Sequence, residues 1–259
     1  MAAGAHFGAD FPTSIESFMK NSRTIIITGA SQGIGAGLVS RFLDRGYNVV
    51  ATSRNVSQSK ELPVSDHLVR VDGDVADPTT ANAVVEAAVK AFGSVDALVN
   101  NAGIFIGKPF VDFPIEDYRK LQSINVDGFL FMTQRVVRQM LAQGTGGSIV
   151  SITSPLTQSP IAGAMSTVAM ITKGGIEAGS RNLAMEYATQ GIRVNMVAPG
   201  IVDTPMHRDS PKDVIATMSP IQGISSVDEI VDAVVFVTEA PRVTGETVRV
   251  DGGGHLGKW

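Results

Sequence analysis

Short runs of β-branched and aliphatic residues alternate along the chain with longer segments in which apolar residues recur every three or four positions. The short runs predict seven strands: Thr24–Thr28, Asn48–Thr52, His67–Gly73, Ala97–Asn101, Ser148–Thr153, Arg193–Pro199 and Glu246–Gly252. The longer segments predict helices, and several end at a residue that tolerates positive φ: Gly46, Gly93, Gly144 and Gly191. We therefore predict an α/β fold, a Rossmann-type doubly wound sheet of about seven parallel strands with helices on both faces.

The chain of 259 residues is long enough for one large domain, and no linker-like tract divides it. Residues 1–20 contain acids and no unbroken apolar run, which is unlike a signal peptide or a membrane span. We interpret them as an N-terminal arm, partly helical from Ser14 to Met19, with a loosely ordered terminus as the alternative. Residues 21–259 are predicted to form a single domain.

The charge and the cysteine content of the chain exclude some classes of binding partner and of chemistry. The 21 basic and 25 acidic side chains give a net charge of −4 without a basic block, so nucleic acid is not a predicted partner. Cysteine is absent, which excludes disulfides and thiol chemistry and fits a reducing compartment, so we predict a cytoplasmic protein. No metal site and no membrane association are predicted.

The strongest local signal is a glycine-rich turn that follows the first strand and opens a helix, with the spacing Gly29-x-x-x-Gly33-x-Gly35. Glycines let the backbone turn sharply and approach a pyrophosphate, while free N–H groups and the helix dipole favour negative charge. The turn therefore predicts that residues 21–259 form a dinucleotide-binding domain that includes the substrate site. Its predicted contact residues are Gly29, Ser31, Gln32, Gly33, Ile34 and Gly35.

The second strand indicates which dinucleotide is bound. An NAD site usually has an acid at this strand end, but here the strand runs into Ser53 and Arg54, and the next acid is Glu61. A guanidinium suits a 2′-phosphate, and the hydroxyls of Ser31 and Ser53 could add donors. We predict NADP(H) in preference to NAD(H); the alternative is that Arg54 is a solvated surface charge.

Further motifs follow in order: Asp74-Val75, NNAG at Asn100–Gly103, Asn125 in INVDG, Ser154 ending SITS, Lys173 in TKGG, APG at Ala198–Gly200, and VDGG near the end. Together with TGASQGIG they resemble the short-chain dehydrogenase/reductase family from about Thr24 to Gly253. The resemblance implies an oxidoreductase acting on a small carbonyl or alcohol substrate. It also implies a homotetramer whose interfaces use the long helices and, as a further contact, the C-terminal LGKW.

The resemblance implies roles for individual residues. Asp74 and Val75 would border the adenine, and Lys173 would hold the nicotinamide ribose hydroxyls. The remaining implied cofactor contacts are Asn101, Ala102, Gly103, Pro199, Gly200, Val202 and Thr204. The implied catalytic residues are Asn125, Ser154 and Lys173, with Asn125 supporting a water near the lysine. Taken singly, each of these three also fits a structural role, as a helix kink, a strand end or a surface charge.

The chain departs from the family pattern at one position. Members carry Tyr-x-x-x-Lys, in which the phenol transfers a proton and the ammonium lowers its pKa. Position 169 is alanine, and Ser154 precedes it by fifteen residues where the resemblance implies about thirteen. Ser166 and His207 are candidate substitutes, with an exposed loop histidine as the alternative for His207. The chain has three tyrosines, Tyr47, Tyr118 and Tyr187, and none lies near this helix start in sequence; packing roles are predicted for Tyr118 and Tyr187.

Three functions remain open on the sequence. The leading one is an NADP(H)-dependent carbonyl reductase or alcohol dehydrogenase with an altered proton donor. The second is an NADP(H)-binding sensor without chemistry, and the third is an enzyme inactivated by a Tyr-to-Ala change. An apolar group, Phe105, Phe110, Phe113 and Ile161, is interpreted either as a substrate pocket or as core.

Overall fold

A computed structural model describes residues 22–208, 211, 215–217 and 219–257. The predicted N-terminal arm, its short helix and the last two residues of LGKW lie outside these ranges. Seven strands form one sheet: β1 (Thr24–Thr28), β2 (Asn48–Ser53), β3 (Leu68–Asp72), β4 (Ala97–Asn100), β5 (Gly147–Ile152), β6 (Ile192–Pro199) and β7 (Thr247–Val250). Every pair is parallel, in the order β3-β2-β1-β4-β5-β6-β7, so the predicted doubly wound fold is confirmed.

The helices are α1 (Gly33–Asp44), α2 (Pro78–Phe92), α3 (Ile115–Leu121), α4 (Gly128–Gln143), α5 (Thr167–Glu186) and α6 (Val227–Glu239). A π-helical stretch, Gln122–Asp127, joins α3 to α4. The four glycines predicted at helix ends all have positive φ, which confirms that interpretation. Helix α6 was not predicted, although Ser226 and Glu229 form a capping box at its start.

Alternation along β1 divides the core between the two faces of the sheet. Ile25 and Ile27 pack with α1 and α6, whereas Ile26 packs with α2 and α4. This period-two pattern is the one expected of a strand buried on both sides. The carboxyl ends of the seven strands consequently meet at one edge, where ligands bind in open α/β sheets.

Within the described ranges, no helix is long and apolar enough to cross a bilayer.

Candidate functional site

The glycine turn between β1 and α1 is built for close backbone approach. A Cβ on Gly35 would lie 2.2 Å from the carbonyl oxygen of Gly29, and one on Gly29 would lie 2.8 Å from Cα of Ala102. Gly29 also has φ +63°. Only glycine fits these positions, so the turn can present its N–H groups at the start of α1.

The loop after β4 is fastened to this turn. The Asn101 side-chain amide donates to the carbonyl oxygens of Thr28 at 2.9 Å and Gly29 at 3.1 Å. The Thr28 hydroxyl accepts the backbone N–H groups of Asn101 and Ala102, both at 3.0 Å. Asn101 therefore holds the two loops together, in addition to lying on the cleft wall.

A cleft of about 1320 Å³ runs along the carboxyl edge of the sheet. All the predicted cofactor residues line it: Gly29, Ser31, Gln32, Gly33, Ile34, Gly35, Ser53, Arg54, Asp74, Val75, Asn101, Ala102, Gly103, Lys173, Pro199, Gly200, Val202 and Thr204. Ser154 lines it as well, so the fold brings eighteen cofactor candidates and two of the three catalytic candidates to one space.

Lys173 projects from α5 towards the end of β5. Its Nζ donates to the carbonyl oxygen of Ile152 at 2.7 Å, and burial lowers the pKa of the ammonium to about 8. A Cβ on Gly103 would lie 3.2 Å from this Nζ and 3.3 Å from Oδ1 of Asn125. The lysine and the asparagine therefore converge beside Gly103.

Asn125 lies in the π-helical stretch and is only 2% exposed. Its Oδ1 accepts the N–H of Ile104 at 2.9 Å, and its Nδ2 donates to the Ile104 carbonyl at 3.1 Å and the Thr172 hydroxyl at 3.0 Å. It lines a small cavity shared with Lys173 rather than the main cleft. Its visible role is to fix the loop after β4.

Ser154 follows β5 and caps the 3₁₀ turn Pro155–Thr157, because its Oγ accepts the N–H of Leu156 at 3.3 Å. The turn is anchored by Glu177 on α5, which is 2% exposed. This carboxylate accepts hydrogen bonds from Thr157, Gln158, Arg181 and Thr247. The segment that carries the serine is thereby joined to α5 and β7.

Ala169 is 1% exposed and lies in the wall of the cleft. It belongs to an apolar cluster with Leu121 and Val168, against which Ile104, Ile106, Phe113 and Met170 pack. None of the three tyrosines lines the cleft. Tyr47 packs edge-on against Phe42, and Tyr187 packs against the core, as predicted for Tyr187.

Ser166 and His207, the candidate substitutes for the phenol, differ in whether they line the cleft. Ser166 is the residue before α5, and although buried it does not line the cleft, so its proposed place on the proton path is wrong. His207 lines the cleft and is half-buried, and burial lowers the pKa of its imidazole. The exposed-loop alternative for this histidine is therefore also wrong.

Sequence reasoning missed a second histidine on the cleft wall. His255 Nδ1 lies 2.9 Å from Oδ1 of Asp251, a buried carboxylate that also accepts the N–H groups of Gly253 and His255. Both side chains line the cleft. The signal was the spacing of four residues between Asp251, within VDGG, and His255.

The apolar wall differs from the predicted group. Phe105 and Ile161 line the cleft, accompanied by Leu156 and Met165. Phe110 is exposed and Phe113 packs in the cluster around Ala169, so neither lines the cleft and their assignment to the pocket is wrong. No group of three or more metal-ligating side chains occurs in the part of the chain that the structure describes.

Comparisons with known proteins identify the relatives of this chain. A family profile described as enoyl-(acyl carrier protein) reductase matches residues 29–255. The chain is 34% identical to a glucose 1-dehydrogenase of Gluconobacter oxydans over 246 residues, covering 89% of this chain and 91% of that protein. It is also 34% identical to the 2-(R)-hydroxypropyl-CoM dehydrogenase of Xanthobacter autotrophicus over 249 residues, covering 89% and 98%.

Solved structures agree with the fold. ElxO with NADP bound has a TM-score of 0.84 and 28% identity, with 90% of this chain and 98% of that chain covered. A 3-ketoacyl-(acyl-carrier-protein) reductase from Brucella melitensis complexed with NADH has a TM-score of 0.84 and 28% identity, with 91% and 99% covered.

Proposed function

The chain belongs to the short-chain dehydrogenase/reductase family, and we propose that it is an NADP(H)-dependent oxidoreductase of the carbonyl reductase or alcohol dehydrogenase type with an altered proton donor. The observation that carries the proposal is the convergence of the glycine turn and the buried ammonium of Lys173 on one cleft. Burial of an ammonium disfavours its charged form. A site without catalytic function would have no use for a group that is costly to bury.

The residues present fit a nicotinamide dinucleotide. Gly29 and Gly35 allow the turn to pack closely on its own backbone and on Ala102, where a Cβ would collide, and this tight turn directs N–H groups towards a pyrophosphate site at the start of α1. Arg54 lines the same cleft, and the Oγ of neighbouring Ser53 is buried without a hydrogen-bond partner among the described residues. The bound nucleotide would supply the hydride, while the protein binds, orients and handles the proton.

The proton step is assigned to this chain's own polar groups. Lys173 would hold the nicotinamide ribose hydroxyls and, with its pKa lowered to about 8, is a stronger acid than an exposed lysine. The Ser154 hydroxyl, or a water held by the lysine, would pass the proton to the substrate oxygen. Asn125 positions the loop that faces them.

We propose a small carbonyl or alcohol as the substrate, with its apolar part against Phe105, Ile161 and Met165. The curated relatives are named as dehydrogenases of small molecules, which supports this class. We further propose a cytoplasmic homotetramer. Gly174 and Gly175 on α5 have open space around them and Ile171 is exposed, which suits a helix-to-helix interface.

The sensor is kept as a second candidate because Ala169 lies in an apolar cluster and cannot transfer a proton. The test follows NADPH absorbance with a panel of ketones, aldehydes and quinones, alongside NADPH binding. Turnover supports the enzyme. Tight binding without any turnover favours the sensor or an inactivated enzyme, and no binding of either nucleotide contradicts the proposal.

A further inference from the structure

The connection from β2 to β3, residues 54–67, contains no α-helix, although parallel strands are usually joined by one. It has a single 3₁₀ turn, Val56–Gln58, and it buries the side chains of Val56 and Leu62. The guanidinium of Arg70, on β3, holds the connection through four backbone carbonyl groups. These belong to Ser57, Ser59, Leu62 and Pro63, at 3.0 to 3.4 Å. These contacts hold the backbone of the loop in one conformation, and they thereby fix the backbone position of Glu61.

The loop brings a carboxylate onto the glycine turn. Glu61 Oε2 accepts the backbone N–H of Gly33 at 3.3 Å. Ser59 supports this contact, since its Oγ donates to the carbonyl oxygen of Ser31 at 2.7 Å and accepts the N–H of Glu61 at 3.3 Å. A carboxylate of the chain itself therefore occupies an N–H group of the kind that binds phosphate.

Two opposite charges flank the turn from the same loop. Arg54 stands just beyond the end of β2, and the N–H of Ala30 bonds to the carbonyl oxygen of Thr52 at 3.1 Å, so this strand end adjoins the turn. A 2′-phosphate carries a charge of roughly −1.5 to −2 near neutral pH. Arg54 would attract it, and Glu61 would repel it. NAD(H) has a hydroxyl at this position, which can donate a hydrogen bond to a carboxylate.

We infer that Glu61 is a specificity-determining residue that limits the preference for NADP(H), because its carboxylate is held on the glycine turn, which adjoins the end of β2 where a 2′-phosphate would lie, and repels that phosphate. The inference rests on the proposed function, since it requires a nicotinamide dinucleotide in the cleft. Arg54 and Glu61 act in opposition, so the cofactor preference reflects the balance between them.

The experiment titrates NADPH and NADH into the full chain and into its Glu61→Gln and Glu86→Gln variants, following nicotinamide fluorescence. Glutamine keeps the size and an oxygen acceptor for Gly33, and Glu86 is an exposed acid on α2, outside the loop that holds Glu61 against the glycine turn. We expect Glu61→Gln to tighten NADPH binding about tenfold, as for one removed charge at a partly screened site. NADH affinity should change less than about twofold, and the NADPH gain should shrink as salt screens the charges. The Glu86→Gln variant should match the parent chain.

A second experiment uses adenosine 2′,5′-bisphosphate and AMP as competitors. It compares ligands with and without a 2′-phosphate when neither carries a nicotinamide. An unchanged NADPH-to-NADH affinity ratio in a chain that binds both nucleotides overturns this inference alone. Equal tightening of both nucleotides also overturns it, because that result assigns the competition to the diphosphate they share. Binding of neither nucleotide to any variant overturns the proposed function and this inference together.

Discussion

Nζ of Lys173 lies 2.7 Å from the carbonyl oxygen of Ile152, so a buried ammonium on α5 is held by the last residue of β5. Burial lowers its pKa from 10.5 to about 8. The group is still mostly protonated at neutral pH, but it is close to the range in which it can release a proton.

The first prediction concerns the pH dependence of stability. Below about pH 8 the lysine is protonated in the folded and unfolded chains alike, so folding must bury a charge. Between about 8 and 10.5 the unfolded chain binds the proton more tightly, so this group's contribution to stability rises with pH. We expect Lys173→Met to raise Tm of the nucleotide-free protein most below pH 8, with the difference shrinking towards pH 10.5. Thermal melts across this range measure it.

Lys90→Met is the control, because Lys90 is an exposed lysine on α2. The difference in Tm between Lys90→Met and the parent chain should not shrink between about pH 8 and pH 10.5. A constant offset for Lys173→Met at every pH would contradict the lowered pKa.

The second prediction restores the missing phenol. Ala169 lines the cleft four residues before Lys173, so Ala169→Tyr places a hydroxyl one helical turn from the ammonium. We expect kcat with an accepted carbonyl substrate to rise by roughly 10²- to 10⁴-fold, the range typical of positioned general acid catalysis. Ala169→Phe adds the ring without the hydroxyl and should not increase kcat. Equal rates for the two variants, both folded and binding NADPH, would show that the phenol is not what limits this site.

The third prediction tests the role of Asn125. Asn125→Ala leaves the N–H and the carbonyl of Ile104 without their side-chain partner. With each unsatisfied buried group costing about 1–3 kcal/mol, we expect the free energy of unfolding to fall by about 2–4 kcal/mol. Chemical denaturation measures the loss. Ser123→Ala, a change at a partly exposed position of the same π-helical stretch, should lie within about 0.5 kcal/mol of the parent. An equal effect of the two changes would contradict the assigned contacts.

The fourth prediction concerns Glu177. Replacing it with glutamine removes the buried charge that Arg181 and the Thr157 hydroxyl contact. We expect a loss of about 1–3 kcal/mol in unfolding free energy, because charge-assisted bonds in a buried site are weakened. Glu116→Gln, at an exposed acid on α3, is the matched control and should have little effect. Limited proteolysis near Ser154 should accelerate only in the Glu177 variant, and unchanged cleavage would argue against an anchoring role.

Much of the fold was predictable because strands and helix ends are indicated by residues that are close together in the sequence. TIIIT is apolar, β-branched and followed by glycine, and it forms β1 with the predicted bounds. The cleft residues come together because parallel strands share one carboxyl edge, a consequence of topology rather than of any single motif. Helix α6 was missed even though its capping box was readable.

The remainder of the site depends on contacts between distant residues. Glu61 meets Gly33 across 28 positions, and Glu177 meets Thr247 across 70, so no local periodicity signals either pair. The position of Asn125 depends on a π-helical stretch, which follows from packing around Ile104 and Thr172 rather than from the residues' own propensities. His207 could not be assigned to the cleft wall until the turn that carries it was placed.

The longer spacing between Ser154 and position 169 has a consequence for how the serine is held. Its Oγ accepts the Leu156 N–H and keeps its own proton to donate, and Glu177 joins the turn that follows to α5. The added residues are therefore tethered to the same helix that carries Lys173. Serine and lysine would consequently meet a substrate oxygen as one rigid pair, with no separate loop closure needed to bring them together.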